Sequence, residues 1–127
     1  MLVEHFLGKA VCTTYEELES ILEVRTEKGV NEFIISSKEY YPFIMMSVKD
    51  DYATISYFDK EDESSFVSIG FNTDLEQDGI TIFYTNTDKE EIAVENGFIL
   101  PYSKATMVIK EFFETIRLPK CIEWEEL

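Results

Sequence analysis

Hydrophobic residues near the C-terminus recur with the period of an α-helix. Between Lys104 and Ile116, apolar side chains follow one another at intervals of three and four residues, which places them on one helical face. Ser103 can cap the free N–H groups of the first turn, and Pro119 stops the helix soon afterwards. The pattern predicts an amphipathic helix whose inner face consists of Ala105, Val108, Ile109, Phe112, Phe113 and Ile116.

A second helix is expected near the N-terminus. Thr13 with Glu16, and Thr14 with Glu17, have the spacing of a capping box, in which two side chains satisfy the free N–H groups of the first turn. Gly29 is a typical residue just past the end of a helix. These signals predict a helix of about 14 residues before the first long strand.

Between the two helices the hydrophobic period changes to that of β-strands. Residues 52–58 and 65–71 alternate between apolar and polar, and residues 43–48 are apolar on both faces, as in a central strand. Residues 80–84 form another strand-like run, and polar loops join these segments. The sequence therefore predicts a single α+β domain over residues 1–127, in which an antiparallel β-meander sheet packs against an N-terminal and a C-terminal amphipathic helix.

The charge balance restricts the partners that the protein can bind. Among 127 residues, 26 are acidic and 11 are basic, so the net charge is −15. Such a chain lacks the basic face that binding to nucleic acid or to an anionic membrane requires. Opposite charge would instead attract a basic protein, although acidity also serves simply to keep a small domain in solution.

Targeting signals and structural thiols give a consistent expectation of location. No apolar run has the length of a transmembrane helix, and the N-terminus lacks the pattern of a secretory signal. We expect a cytoplasmic protein with Cys12 and Cys121 as free thiols, and a disulfide between them as the alternative.

Groups that carry catalysis are scarce in this sequence. His5 is its single histidine, and no motif marks a nucleophile that could pair with it. Residues 74–79 resemble the first half of a calcium-binding loop, but the twelfth position is Thr85 rather than glutamate. We therefore expect neither an enzyme nor a cofactor, and keep a small acidic calcium-binding module, or an enzyme of unknown activity, as the alternative.

Acidic residues concentrate in loops, where aromatic residues border them. In a meander, the loops after Phe58 and Tyr84 are separated by two strands, so both can lie at the same edge of the sheet. Carboxylates beside aromatic rings suit the binding of a basic protein, whereas unconnected, solvated loops are the plain alternative. The predicted partner-binding residues are Tyr57, Phe58, Asp59, Glu61, Asp62, Glu63, Tyr84 and Asp88.

The order of elements and several C-terminal residues resemble immunity protein family 1 of bacterial polymorphic toxin and contact-dependent growth inhibition systems. In place of the glycine that members usually carry before the last proline, this chain has Ile116, Arg117 and Leu118. The resemblance implies a small cytosolic antidote, a monomer or weak homodimer when free, that binds a cognate toxin domain, often a nuclease or a deaminase. The matching residues are Pro101, Ser103, Ala105, Phe112, Pro119, Ile122 and Trp124.

Overall fold

Residues 1–61, 65–70 and 73–127 are described by the structure, which is a computed structural model. They form helices α1 (Tyr15–Leu22) and α2 (Tyr102–Thr115), and a short 3-10 turn at Asn96–Phe98. The strands are β1 (Leu2–His5), β2 (Gly8–Val11), β3 (Val30–Ser37), β4 (Tyr40–Lys49), β5 (Tyr52–Phe58), β6 (Ser65–Ser68), β7 (Ile80–Tyr84), β8 (Glu91–Glu95), β9 (Leu100–Pro101) and β10 (Trp124–Glu126).

These strands assemble into one large sheet and one small one. The large sheet has the order β10-β6-β5-β4-β3-β1-β2, and β9 pairs with the start of β5. All of these pairings are antiparallel. Strands β7 and β8 form a separate two-stranded sheet. The predicted α+β fold, an antiparallel meander against two helices, is confirmed.

The main core lies between the two helices and one face of the large sheet, which we call the helix face. Every second side chain of the central strands points to it, so Ile35, Ile44 and Tyr57 lie side by side in register. The helices contribute Leu18, Leu22, Ala105, Val108, Ile109 and Phe112, all fully buried. The burial of the last four confirms the inner face predicted for the C-terminal helix.

Helix α1 begins as predicted but ends early. Thr14 accepts a hydrogen bond from the Glu17 N–H at 3.3 Å, and the Glu17 carboxylate accepts from the Thr14 N–H at 3.1 Å, which completes the capping box. The helix is eight residues long and ends at Leu22, whose carbonyl accepts a hydrogen bond from Arg25 at 2.6 Å. Gly29 lies in the turn before β3 rather than at the helix end.

Helix α2 is bounded differently from the prediction. Its N-cap is Pro101, which makes no capping hydrogen bond, and Ser103 already lies in the first turn. At the other end Ile116 adopts the left-handed conformation, with φ of 54°, and is 43% exposed. Ile116 therefore terminates the helix and does not extend its buried stripe.

The second face of the sheet is covered at one end only. Strands β7 and β8 pack over this end, where Phe83 is fully buried outside the main core. The Asn86 N–H donates to the Glu32 carboxylate of β3 at 3.1 Å, and Thr54 donates to the Phe98 carbonyl at 2.9 Å. These contacts leave the opposite half of the second face without a helix or strand above it among the described residues.

Candidate partner-binding surface

The uncovered half of the second face presents two rows of side chains that run across the sheet. One row joins Ile34, Met45 and Ser56, and the next joins Ser36, Phe43 and Phe58. Ile34, Met45 and Phe58 are partly buried, whereas Ser36 and Phe43 are only 1% and 7% exposed. We call this surface the open face and define it by Leu2, Glu4, Ile34, Phe43, Met45 and Phe58.

Aromatic rings cluster at one end of the open face. The rings of Phe43 and Phe58 stack with centroids 4.5 Å apart, and Tyr41 and Tyr40 lie 5.3 and 4.8 Å from Phe43. Tyr40 remains 45% exposed. Large rings held by their neighbours lose little conformational freedom on contact, so they serve well as anchors for another protein.

An acidic cleft borders the open face on the side of the covering strands. Its volume is about 220 Å³, and Glu4, Glu32 and Ile34 are among its lining residues. Glu32 is 5% exposed and accepts hydrogen bonds from the Asn86 N–H at 3.1 Å and the Ser47 hydroxyl at 3.4 Å. His5 also lines the cleft, and burial lowers the pKa of its imidazole.

Several cationic side chains contact carbonyl oxygens and aromatic rings rather than carboxylates. The Lys28 ammonium donates to the Asp88 carbonyl at 2.7 Å and lies 4.8 Å from the Tyr84 ring centroid. Arg25 contacts backbone carbonyls and the Tyr102 ring, and Lys110 lies over the Tyr15 ring. Lys28, Arg25 and Lys110 are thus held in these contacts by uncharged groups.

The structure brings together only some of the predicted binding residues. Phe58 belongs to the open face, and Asp59 and Glu61 follow it at the same end. Tyr57 points into the core at 3% exposure, and its hydroxyl donates to Asp59 at 3.2 Å. Burial, aided by the Asp59 carboxylate, raises the pKa of Tyr57 to about 12. Asp62 and Glu63 lie outside the described residues.

Tyr84 and Asp88 lie at the opposite end of the sheet. Both contact Lys28, which precedes the first residue of β3, whereas Phe58 is in register with the far end of that strand. Six residues of extended strand separate the two ends by roughly 20 Å. The expectation that the two loops share an edge is wrong, because β7 leaves the main sheet and packs on its second face.

Sequence reasoning missed Glu4, Glu32, Ile34 and Met45 as surface candidates. These residues occupy strands that the sequence pattern predicts to be mostly apolar, and no local pattern shows which face of the sheet the helices cover. Glu32, an acid directly before the run Phe33, Ile34 and Ile35, is the one signal that could have found the cleft.

The segment of residues 74–79, which resembles half of a calcium-binding loop, makes structural contacts. Asp74 accepts a hydrogen bond from the Tyr52 hydroxyl, and the Glu76 carbonyl accepts from the Asn96 side chain at 2.7 Å. Over the described ranges, no three histidine, cysteine or acidic side chains are grouped to hold a metal ion. Cys12 and Cys121 are free, and burial raises the pKa of both thiols.

Helices packed on one side of a sheet, and an aromatic and acidic surface on the other, define a small α+β protein suited to binding another protein. In the part of the chain that is described, neither helix is long and apolar enough to cross a membrane. No known family model matches the sequence. The chain is similar to the double-stranded DNA deaminase immunity protein of Burkholderia cenocepacia strain H111, with 25% identity over 128 residues that cover all of both chains. This similarity supports an immunity protein of a toxin system.

Proposed function

We propose that the protein is an immunity protein that neutralises a cognate toxin domain by binding it one to one. The observation that carries this proposal is the similarity, along the whole of both chains, to a protein named as an immunity protein. That relative's name specifies a double-stranded DNA deaminase, so a deaminase is the first class of toxin to test. The C-terminal resemblance to immunity protein family 1 supports the same role, exercised in the cytoplasm as part of contact-dependent inhibition.

Electrostatics gives this proposal a physical basis. A toxin that acts on DNA needs a basic surface to hold the phosphates. A protein with net charge −15 is attracted to that surface and competes with DNA for it. The inhibitor then works by occupying the toxin, and it needs neither a catalytic group nor a cofactor of its own.

Part of the acidic loop after β5 is proposed to contribute to the contact. Phe58 supplies an apolar ring at the end of the open face, and Asp59 and Glu61 supply charge beside it. Tyr57 acts through Asp59, whose carboxylate accepts a hydrogen bond from the Tyr57 hydroxyl. Tyr84 and Asp88 do not adjoin Phe58, because they lie at the opposite end of the sheet.

Co-expression with the toxin domain that we expect to be encoded beside this gene tests the function. Cells that produce the toxin alone are expected to die, and cells that also produce this protein are expected to grow. With the purified pair, the association rate should fall about tenfold between about 0.05 and 0.5 M NaCl, because salt screens the attraction. Failure to restore growth would refute the proposed function, and a rate that does not change with salt would refute its electrostatic basis.

A further inference from the structure

We propose that the open face is the toxin-docking surface and that the acidic cleft beside it accepts a lysine or arginine side chain of the toxin. This inference rests on the proposed function and assigns its site. The main contact then lies on the sheet itself rather than on the loops at the ends of the sheet.

Glu32 is the central group of the cleft. It is 95% buried, since 5% of its surface is exposed, and its two described hydrogen bonds come from neutral donors. A carboxylate can accept about four hydrogen bonds, so acceptor capacity remains. Glu4 adds a second negative charge to the wall. A buried charge of this kind gains most from a cation that reaches it without bulk water.

Lys9 is the cation nearest to Glu4 in the strand register. It pairs with Glu4 across β1 and β2, is exposed to solvent, and does not line the cleft. An external guanidinium or ammonium group therefore has the cleft to itself. Arginine fits best, because its planar fork can donate two hydrogen bonds to one carboxylate.

The apolar part of the surface adjoins the cleft directly. Ile34 lines the cleft and is also in register with Met45, and Phe43 and Phe58 lie in the adjacent row. A toxin that places a cation at Glu32 therefore lays apolar surface on Met45 and the stacked rings. Such a combination of a desolvated charge and aromatic anchors is typical of the energetic centre of protein interfaces.

A basic protein is a better occupant than a second copy of this chain. Two copies would bring net charges of −15 together across a surface that itself carries buried and exposed carboxylates. Repulsion of like charges opposes that association, whereas the same field attracts a basic domain.

Substitutions in the cleft test its role against a charge-matched control. Glu32→Gln removes the charge but keeps an oxygen that can accept from the Asn86 N–H, and the exposed Glu114→Gln on α2 removes the same charge from the other side of the molecule. With the inactivated toxin domain encoded beside the gene, Glu32→Gln should raise the Kd about tenfold, and Glu114→Gln less than twofold. If Glu32→Gln does not fold, Glu4→Gln is measured instead, with about a fivefold increase expected.

A second pair of variants tests the apolar part without changing charge. Met45→Gln on the open face should raise the Kd about tenfold, while Met107→Gln, at a position 56% exposed on α2, should leave it unchanged.

Three results would overturn parts of this scheme and can be told apart. Equal affinities for the cleft variant and its control, or for the two methionine variants, would overturn the docking surface while toxin neutralisation by the unaltered chain still stands. Sedimentation that shows a dimer of the free chain, dissociated by Met45→Gln, would assign the open face to self-association. Loss of neutralisation by the unaltered chain itself would refute the function on which the surface rests.

Discussion

Ile116 ends helix α2 in a backbone conformation that isoleucine rarely adopts. A β-branched side chain in the left-handed conformation is uncommon, because its Cβ crowds the following carbonyl. Here, with φ of 54°, it turns the chain out of α2 after its N–H donates to the Phe112 carbonyl at 2.7 Å. The fully buried stripe of α2 therefore runs from Ala105 to Phe112 and ends one turn earlier than predicted.

Glycine should be better tolerated than alanine at position 116, the reverse of the order inside a helix. We expect Ile116→Gly to be more stable than Ile116→Ala by about 1 kcal/mol, because only glycine adopts positive φ without steric cost. Urea unfolding of both variants, analysed with a common slope, measures the difference. Met107, which is 56% exposed on the same helix, provides the control, since there alanine should exceed glycine in stability by a similar amount. Equal or greater stability of Ile116→Ala would contradict the left-handed assignment.

At the scale of elements, hydrophobic periodicity predicts which face of a helix or strand is buried better than it predicts where that element ends. The buried side of α2 and the capping box of α1 were predictable, since both depend on residues a few positions apart. The early end of α1 and the placement of β7 and β8 on the second face depend on contacts between distant segments, such as Asn86 with Glu32. The loops therefore could be predicted to be acidic, but not to lie at opposite ends of the sheet, and the open face could not be predicted at all.

The packing of α2 makes the stability of the protein depend on Phe112. Its ring is fully buried and lies 6.1 Å from that of Tyr57, edge to face. Phe112→Ala should lower the free energy of unfolding by about 3–5 kcal/mol, because it leaves a cavity that the neighbours cannot fill. The adjacent Phe113 is only partly buried, so Phe113→Ala should cost clearly less. Chemical denaturation compares the two, and a loss below about 1 kcal/mol for Phe112→Ala would mean that another face of the helix is buried.

At the scale of the whole molecule, the negative net charge destabilises the folded state but favours binding to a basic partner. With 26 acidic and 11 basic residues, the folded chain carries a large excess of like charge, which opposes folding through self-repulsion. Salt weakens this repulsion and stabilises the fold, and it also weakens the attraction to a basic partner. The affinity for the toxin and the intrinsic stability should therefore move in opposite directions as ionic strength rises.

Thermal unfolding in NaCl tests the self-repulsion. At pH 7 the Tm should rise by several degrees between about 0.02 and 0.3 M NaCl, since the Debye length shortens over this range. At a pH close to the isoelectric point of 4.3, the same salt step should have little effect, because the net charge is then small. A Tm that falls with salt at pH 7 would show that the carboxylates are stabilised by charge pairs rather than destabilised by repulsion.

The helix face and the open face are formed by the same strands, but only the helix face contributes to the main core. Side chains that alternate along β3 and β4 divide strictly between them, so Phe33 and Met46 maintain the core while Ile34 and Met45 do not. A lineage can thus exchange residues on the open face, one strand position away from the core, without losing the fold. If the open face is the toxin-docking surface proposed above, an antidote can follow a change in its toxin by substitution at these positions while both proteins stay folded.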